Sequence, residues 1–125
     1  MILVDTPVWV DHLRRGHAHL ADLLNAGTVV MHPFILGEIA LGSLSDRDSI
    51  LELLGELPAA LSAEPDEVLR FIDTHQLHGK GIGYVDVHLL ASISLVPGTK
   101  LWTRDKRLRL AAEHLGCDYA RAAAH

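Results

Sequence analysis

The chain opens on an unbroken apolar run, Ile2-Leu3-Val4, that stops at a carboxylate, Asp5. A run without polar alternation suits a strand buried on both faces, as in a parallel sheet. Thr6 is a good helix N-cap and Pro7 suits a first helical position. Val8, Trp9 and Leu13 then recur at helical spacing to about Gly16. A short helix is expected over 17–24, and Thr28-Val-Val-Met31 reads as a second buried strand. His32-Pro33 breaks it. A helix over Phe34 to Leu41 follows, with Ile35, Leu36, Ile39 and Ala40 as its buried stripe and Glu38 lying within it.

Farther along, Ser45 and Asp46 can cap a helix from Asp46 to Leu54. Ala60-Leu-Ser-Ala63 is a weak third strand, and Pro65 opens a helix to about His75. Gly79, Gly81 and Gly83 make a flexible loop before an apolar helix, Tyr84 to Leu95. Lys100-Leu-Trp-Thr103 is a fourth strand. Arg104 to His114 is the last long helix, and Cys117 to Ala120 a short fifth strand. Strands alternating with helices predict an α/β fold: a mostly parallel sheet of four to five strands with helices on both faces. One domain over 1–120 and a short tail over 121–125 account for the 125 residues.

Composition narrows this picture. With 49% hydrophobic and 5% aromatic residues, the core is mostly aliphatic. A single cysteine, Cys117, rules out an internal disulfide and fits a reducing, cytoplasmic setting. The N-terminus shows no signal-peptide pattern, and no apolar run is long enough for a membrane span. The net charge of −5 argues against a nucleic-acid binder. Local basic clusters temper that: Arg14-Arg15, and Arg104, Lys106, Arg107 and Arg109.

Four carboxylates fall at comparable junctions. Asp5 ends the first strand, Glu38 lies on the helix after the second, Asp86 sits in the first turn after the glycine loop, and Asp105 follows the fourth strand. Strand ends and the helix starts after them share one edge of a parallel sheet, where open α/β sheets place their sites. Two carboxylates about 4 Å apart repel by roughly 4 kcal/mol at an effective dielectric of 20. A hard divalent cation removes that repulsion, and oxygen-only ligands suit Mg²⁺ or Mn²⁺. Such a cation can activate water and neutralise a phosphodiester transition state.

Met1-Ile-Leu-Val-Asp-Thr-Pro-Val-Trp-Val-Asp-His-Leu-Arg14 resembles the opening of PIN-domain proteins, in particular VapC-type toxins of bacterial toxin–antitoxin pairs. Gly81-Ile-Gly-Tyr-Val-Asp-Val-His-Leu-Leu-Ala-Ser92 and Leu101-Trp-Thr-Arg-Asp-Lys-Arg-Leu108 resemble that family's later signatures, and Gly37-Glu-Ile-Ala-Leu-Gly42 its acid-bearing helix. The resemblance spans essentially the whole chain. It implies a compact PIN fold, a Mg²⁺-dependent endoribonuclease, an antitoxin partner and a homodimer. It places the catalytic and metal-binding quartet on Asp5, Glu38, Asp86 and Asp105, with Thr103 at the family's hydroxyl position; Thr6, next to Asp5, is a second expected supporting residue. Position 7, usually a small hydroxyl residue, is Pro7 here, which removes one possible hydrogen bond beside the site.

For RNA phosphates, Arg104 and Lys106 at the start of the last helix are expected to contribute most, with Arg14 and Arg15 farther out. Asp11 is expected to be solvated or paired with Arg14 or Arg15. Trp9 and Trp102 read first as core, although Trp9 could stack a base. The nine histidines lack the grouping of a zinc site. Two other functions compete. An aspartate-based phosphatase would carry Asp-x-Asp where this chain has Asp5-Thr-Pro7, and a phosphoacceptor domain would want a lysine after a late strand, whereas Lys100 precedes one. A non-catalytic binding module on the same fold would have no use for a complete acid quartet.

Overall fold

A computed structural model describes residues 1–119. Residue 120, the end of the expected fifth strand, and the expected tail 121–125 lie outside the described residues. Three strands, β1 (Ile2–Val4), β2 (Val29–Val30) and β3 (Lys100–Trp102), form a parallel sheet in the order β2-β1-β3. The helices among the described residues are α1 (Thr6–Arg15), α2 (Ala18–Asn25), α3 (Pro33–Leu41), α4 (Arg47–Gly55), α5 (Pro65–His75), α6 (Tyr84–Ser94) and α7 (Lys106–His114).

The expected four to five strands are therefore three. At the sheet edges only single residues bridge: Ala59, just before the expected third strand, pairs with Met31, and Asp118, in the expected fifth, pairs with Leu101 of β3. On the first edge, Met31 N–H donates to Pro58 O (2.8 Å) and Ala60 N–H to Met31 O (2.9 Å). Pairing stops there because His32 already caps α3, so β2 has no further backbone to offer. The Leu61 carbonyl instead accepts from the Ser92 hydroxyl.

Most helix boundaries follow local chemistry. The cap of α1 is Asp5, one residue earlier than Thr6, with Pro7 inside the first turn. His32 Nδ1 accepts from Phe34 N–H (3.0 Å), which starts α3 at Pro33. Asp46 sits at α4 in a left-handed conformation (φ 53°) and makes no side-chain cap bond, unlike the expected cap. Asp105 caps α7, so that helix starts at Lys106.

β1 lies between its two partners. The chain moves from β1 outward to β2 and later crosses back to β3 on the far side. Helix packs on helix in three pairs: α1 on α3, α3 on α4, and α5 on α6. Every residue from Val87 to Ile93 is buried, so α6 is a central helix with no solvent face over that stretch. Leu3, Val4, Val8, Trp9, Leu89, Leu101 and Trp102 complete the middle of the core. No described helix is long and apolar enough to cross a membrane. The carboxyl ends of β1 and β3 meet the starts of α1 and α7 at one edge of the sheet.

Candidate active site

Asp5 is buried, 6% exposed, at the end of the central strand. A buried carboxylate requires hydrogen bonds. One oxygen accepts from Thr6 N–H (2.8 Å), and the other from the Thr103 hydroxyl (2.7 Å). Capping and facing the cleft are thus compatible roles, since each oxygen keeps a second lone pair. Thr103, fully buried at the end of β3, also accepts from Asp105 N–H (3.1 Å). One hydroxyl therefore ties the first acid to the backbone of the fourth. Asp105 Oδ1 in turn accepts from Leu108 N–H (2.9 Å) and caps α7. Thr6 donates its hydroxyl to Glu38 Oε1 (2.5 Å). Glu38 is exposed on α3, not part of the buried stripe of Ile35 and Ile39 where the apolar pattern sets it; it projects into the cleft.

Asp5, Thr6, Glu38, Asp86 and Asp105 line one open cleft of about 490 Å³, together with Pro7 and Val10. Their charges register with one another. Burial pushes the Asp86 carboxyl up to about 6, and Asp5, Asp105 and Glu38 push it the same way, against a backbone hydrogen bond from Gly83. Asp5 is also raised, first by burial and then by Glu38 and Asp105, while the bonds from Thr103 and Thr6 oppose the rise. The donor set is all oxygen. Among the described residues, no three acidic, histidine or cysteine side chains stand close enough together to clasp one ion. Unscreened like charges hold carboxylates apart, so closing on a cation requires side-chain rotation.

The raised Asp86 carries a pH prediction. Between its ordinary value of 3.8 and about 6, the folded chain holds a proton there that the unfolded chain releases. Stability from this group is therefore present at low pH and lost as pH rises through about 6. In EDTA, the melting temperature should fall between about pH 5 and 7 more steeply for the unaltered chain than for Asp86→Asn, and Mg²⁺ at neutral pH should restore it. Equal slopes for the two proteins in thermal denaturation would refute this.

The basic residues fall differently. Asp11 is ion-paired to both Arg15 and Arg104, the latter at 3.1 Å. Those pairs hold its carboxyl below the usual range, Arg15 first and then Arg104. Asp11 is thus a clamp on two of the expected RNA contacts. Arg14 and Lys106 are exposed and in no ion pair among the described residues. Trp9 is 1% exposed, which rules out base stacking and leaves it in the core. Trp102 is buried with the His17, His19 and Tyr119 rings against it. His88 is buried between the Phe34 and Tyr84 rings. Cys117 is buried and its thiol is pushed up by burial, which keeps it protonated and unreactive.

Sequence reasoning placed Asp11 beside Arg14 or Arg15 and missed its pair with Arg104; it also missed the position of Arg107. Arg107 lies over Gly81, where a Cβ would collide with its Nη1, and Gly81 has φ +75°. The positive φ favours glycine here, and the absence of a Cβ leaves room for the Arg107 side chain. A helical stripe at 107, 110, 111 and 114 was the available signal.

A parallel α/β sheet with an acid-lined cleft at one edge is the class of fold observed, and residues 2–114 match the PIN domain. The chain belongs to the PIN-domain family. It is similar to Ribonuclease VapC32 of Mycobacterium tuberculosis, in strains CDC 1551 / Oshkosh and H37Rv alike. With each it shares 47% identity over 116 residues, covering 93% of this chain and 94% of the relative.

Proposed function

We propose that the protein is a VapC-type toxin: an endoribonuclease that hydrolyses RNA phosphodiester bonds and is restrained by an antitoxin. The observation that carries this is the single cleft lined by Asp5, Glu38, Asp86 and Asp105 at the sheet edge. Near-full-length similarity to a named ribonuclease supports it. The cleft chemistry also fits a hard divalent cation, because its donors are all carboxylate oxygens, and burial first and then the neighbouring acids raise Asp5 and Asp86. Asp5, Glu38, Asp86 and Asp105 would hold Mg²⁺ or Mn²⁺. When bound, the cation would supply an activated water and offset charge on the phosphodiester.

This chain's own residues do the positioning. Thr103 fixes Asp5 and anchors the Asp105 backbone through one hydroxyl. Thr6 orients Glu38. Pro7 lines the same cleft without a donor, so the supporting hydroxyls there are Thr6 and Thr103. Lys106 and Arg14 are the more available flanking cations, whereas Arg104 and Arg15 share Asp11. The phosphatase alternative lacks a second acid at position 7, and the acid quartet disfavours a non-catalytic module.

The purified chain should cleave RNA with Mg²⁺ or Mn²⁺, stop in EDTA, and leave a small phosphomonoester untouched. Full cleavage in EDTA would reject the metal assignment, and monoester turnover would favour the phosphatase.

A homodimer with the antitoxin laid on exposed helices belongs to the same reading. α3 is apolar almost all round, yet buries only Ile35 and Ile39. Leu41 is 89% and Leu53 62% exposed beside it. Apolar surface of this kind marks interfaces. Sedimentation velocity should give a dimer at tens of micromolar, roughly; a monomer there would count against it. No described helix fits a membrane, and a cytoplasmic location accords with an RNA substrate.

A further inference from the structure

A second cavity lies beside the acidic cleft and has the opposite character. It holds about 440 Å³ between the end of α5, the loop over 77–83 and one face of α7. Lys80, Arg107, His75 and His114 line it, and no acidic residue does among the described residues. In a chain of net charge −5, a cavity walled only by bases and neutral groups is not a random sample of the surface. None of these four residues is in an ion pair among the described residues. Arg107, Leu110, Ala111 and His114 are spaced three, four and seven apart, so one helical stripe supplies a cationic end, an apolar middle and a second basic end. Leu110 is 55% exposed in that middle, a cost in water that a flat apolar ligand would remove.

The cavity is joined to the acids by chain geometry. Arg107 is two residues from Asp105. Its guanidinium also lies over Gly81, two residues from Gly83, where a Cβ would come 3.7 Å from Asp86 Oδ2. Two residues span at most about 7 Å. Basic cavity and acidic cleft are therefore neighbours across one short loop.

We propose that this cavity binds the single-stranded RNA segment flanking the scissile phosphate, with Arg107 and Lys80 on backbone phosphate and a base against Leu110 between the two histidines. Arginine suits phosphate through its planar fork, and bases stack or rest on apolar and imidazole surfaces. This rests on the nuclease reading for its register relative to the cleft, and it extends that reading: Arg104 and Arg15 are spent on Asp11, and Lys80 and Arg107 add two cations to Lys106 and Arg14 for the flanking phosphates.

The test is binding of a short labelled single-stranded RNA in EDTA, read by fluorescence anisotropy over a salt series, which does not depend on cleavage. Lys80→Ala/Arg107→Ala should weaken binding about tenfold and flatten the log–log salt slope by about 1.4, roughly 0.7 for each phosphate that the pair neutralises. Because Arg107 also rests on the loop, His114→Glu serves as a second variant two turns away; it should weaken binding as well, with an unchanged melting temperature. Unlabelled RNA should displace the probe, and polyglutamate of equal charge should not. Affinity and slope equal to the unaltered chain's in both variants would overturn the proposal. So would equal displacement by polyglutamate, which would reassign the cavity to an acidic protein segment. A chain that fails to cleave RNA with Mg²⁺ but still shows the weaker affinity and flatter slope in the variants would reject the nuclease reading and leave this site standing.

Discussion

Asp5→Asn is expected to abolish metal-dependent RNA cleavage while the chain stays folded. Losing an outer partner of a metal ligand typically costs about 10–100-fold in affinity or activity. Substituting Asp5, the direct metal ligand proposed above, should cost more than about 100-fold. The substitution is nearly isosteric. The amide oxygen can still accept from Thr6 N–H and cap α1. Two effects on stability oppose each other. Removing the charge ends its burial cost and the repulsion from Glu38 and Asp105, which together raise the Asp5 carboxyl. The buried Thr103 hydroxyl loses its acceptor, which costs about 1–3 kcal/mol. The melting temperature without metal should consequently move little. Cleavage of a labelled RNA, followed beside a thermal melt, checks both halves. Retained cleavage would remove Asp5 from the site, and an unfolded variant would make it a structural residue only.

Trp9→Ala should act in the opposite way, through the fold and not the chemistry. Trp9 sits four residues after Asp5 and is 1% exposed. Its indole N–H has no hydrogen-bond partner among the described residues, so what it contributes is packing. Truncating a buried Trp costs about 3–5 kcal/mol through lost transfer energy and a cavity. That is a large part of the roughly 5–15 kcal/mol typical of a domain. The urea midpoint should drop sharply, or the chain should fail to fold. Trp9→Phe should cost distinctly less, because it keeps most of the apolar volume and deletes the unpaired donor. An Ala variant with an unchanged midpoint but weakened RNA binding would restore the base-stacking role that burial argues against.

How much of this is legible in the chain differs by element. The strand–carboxylate–proline start is readable because each signal is local: a continuous apolar run, a capping side chain and a residue that fits only a helix start or a turn. The same holds for Asp105 at the start of α7 and for the glycine loop before α6. Placing all four acids on one edge needs only the rule that parallel strands and their following helices alternate in a fixed direction. Sheet width is not legible. Ala60-Leu-Ser-Ala63 has strand-like composition, but β2 runs out of backbone at His32, and that limit belongs to the partner strand.

Local chemistry along the chain accounts for the α/β alternation, for helix starts such as that after Asp5, and for the identity of the carboxylates, since those depend on neighbours within a few positions. Tertiary structure decided what those groups touch. Thr103 and Asp5 are 98 residues apart in the chain and 2.7 Å apart in space. Glu38 swings off the buried stripe of α3 into the cleft, where the Thr6 hydroxyl orients it. Asp11 pairs with Arg104 across 93 residues, which neutralises a cation that the sequence counts as free. Arg107 gains its place over Gly81 only because the 77–83 loop folds against α7. Coulombic and hydrogen-bond energies depend on distance in space, and no spacing along the chain encodes that distance.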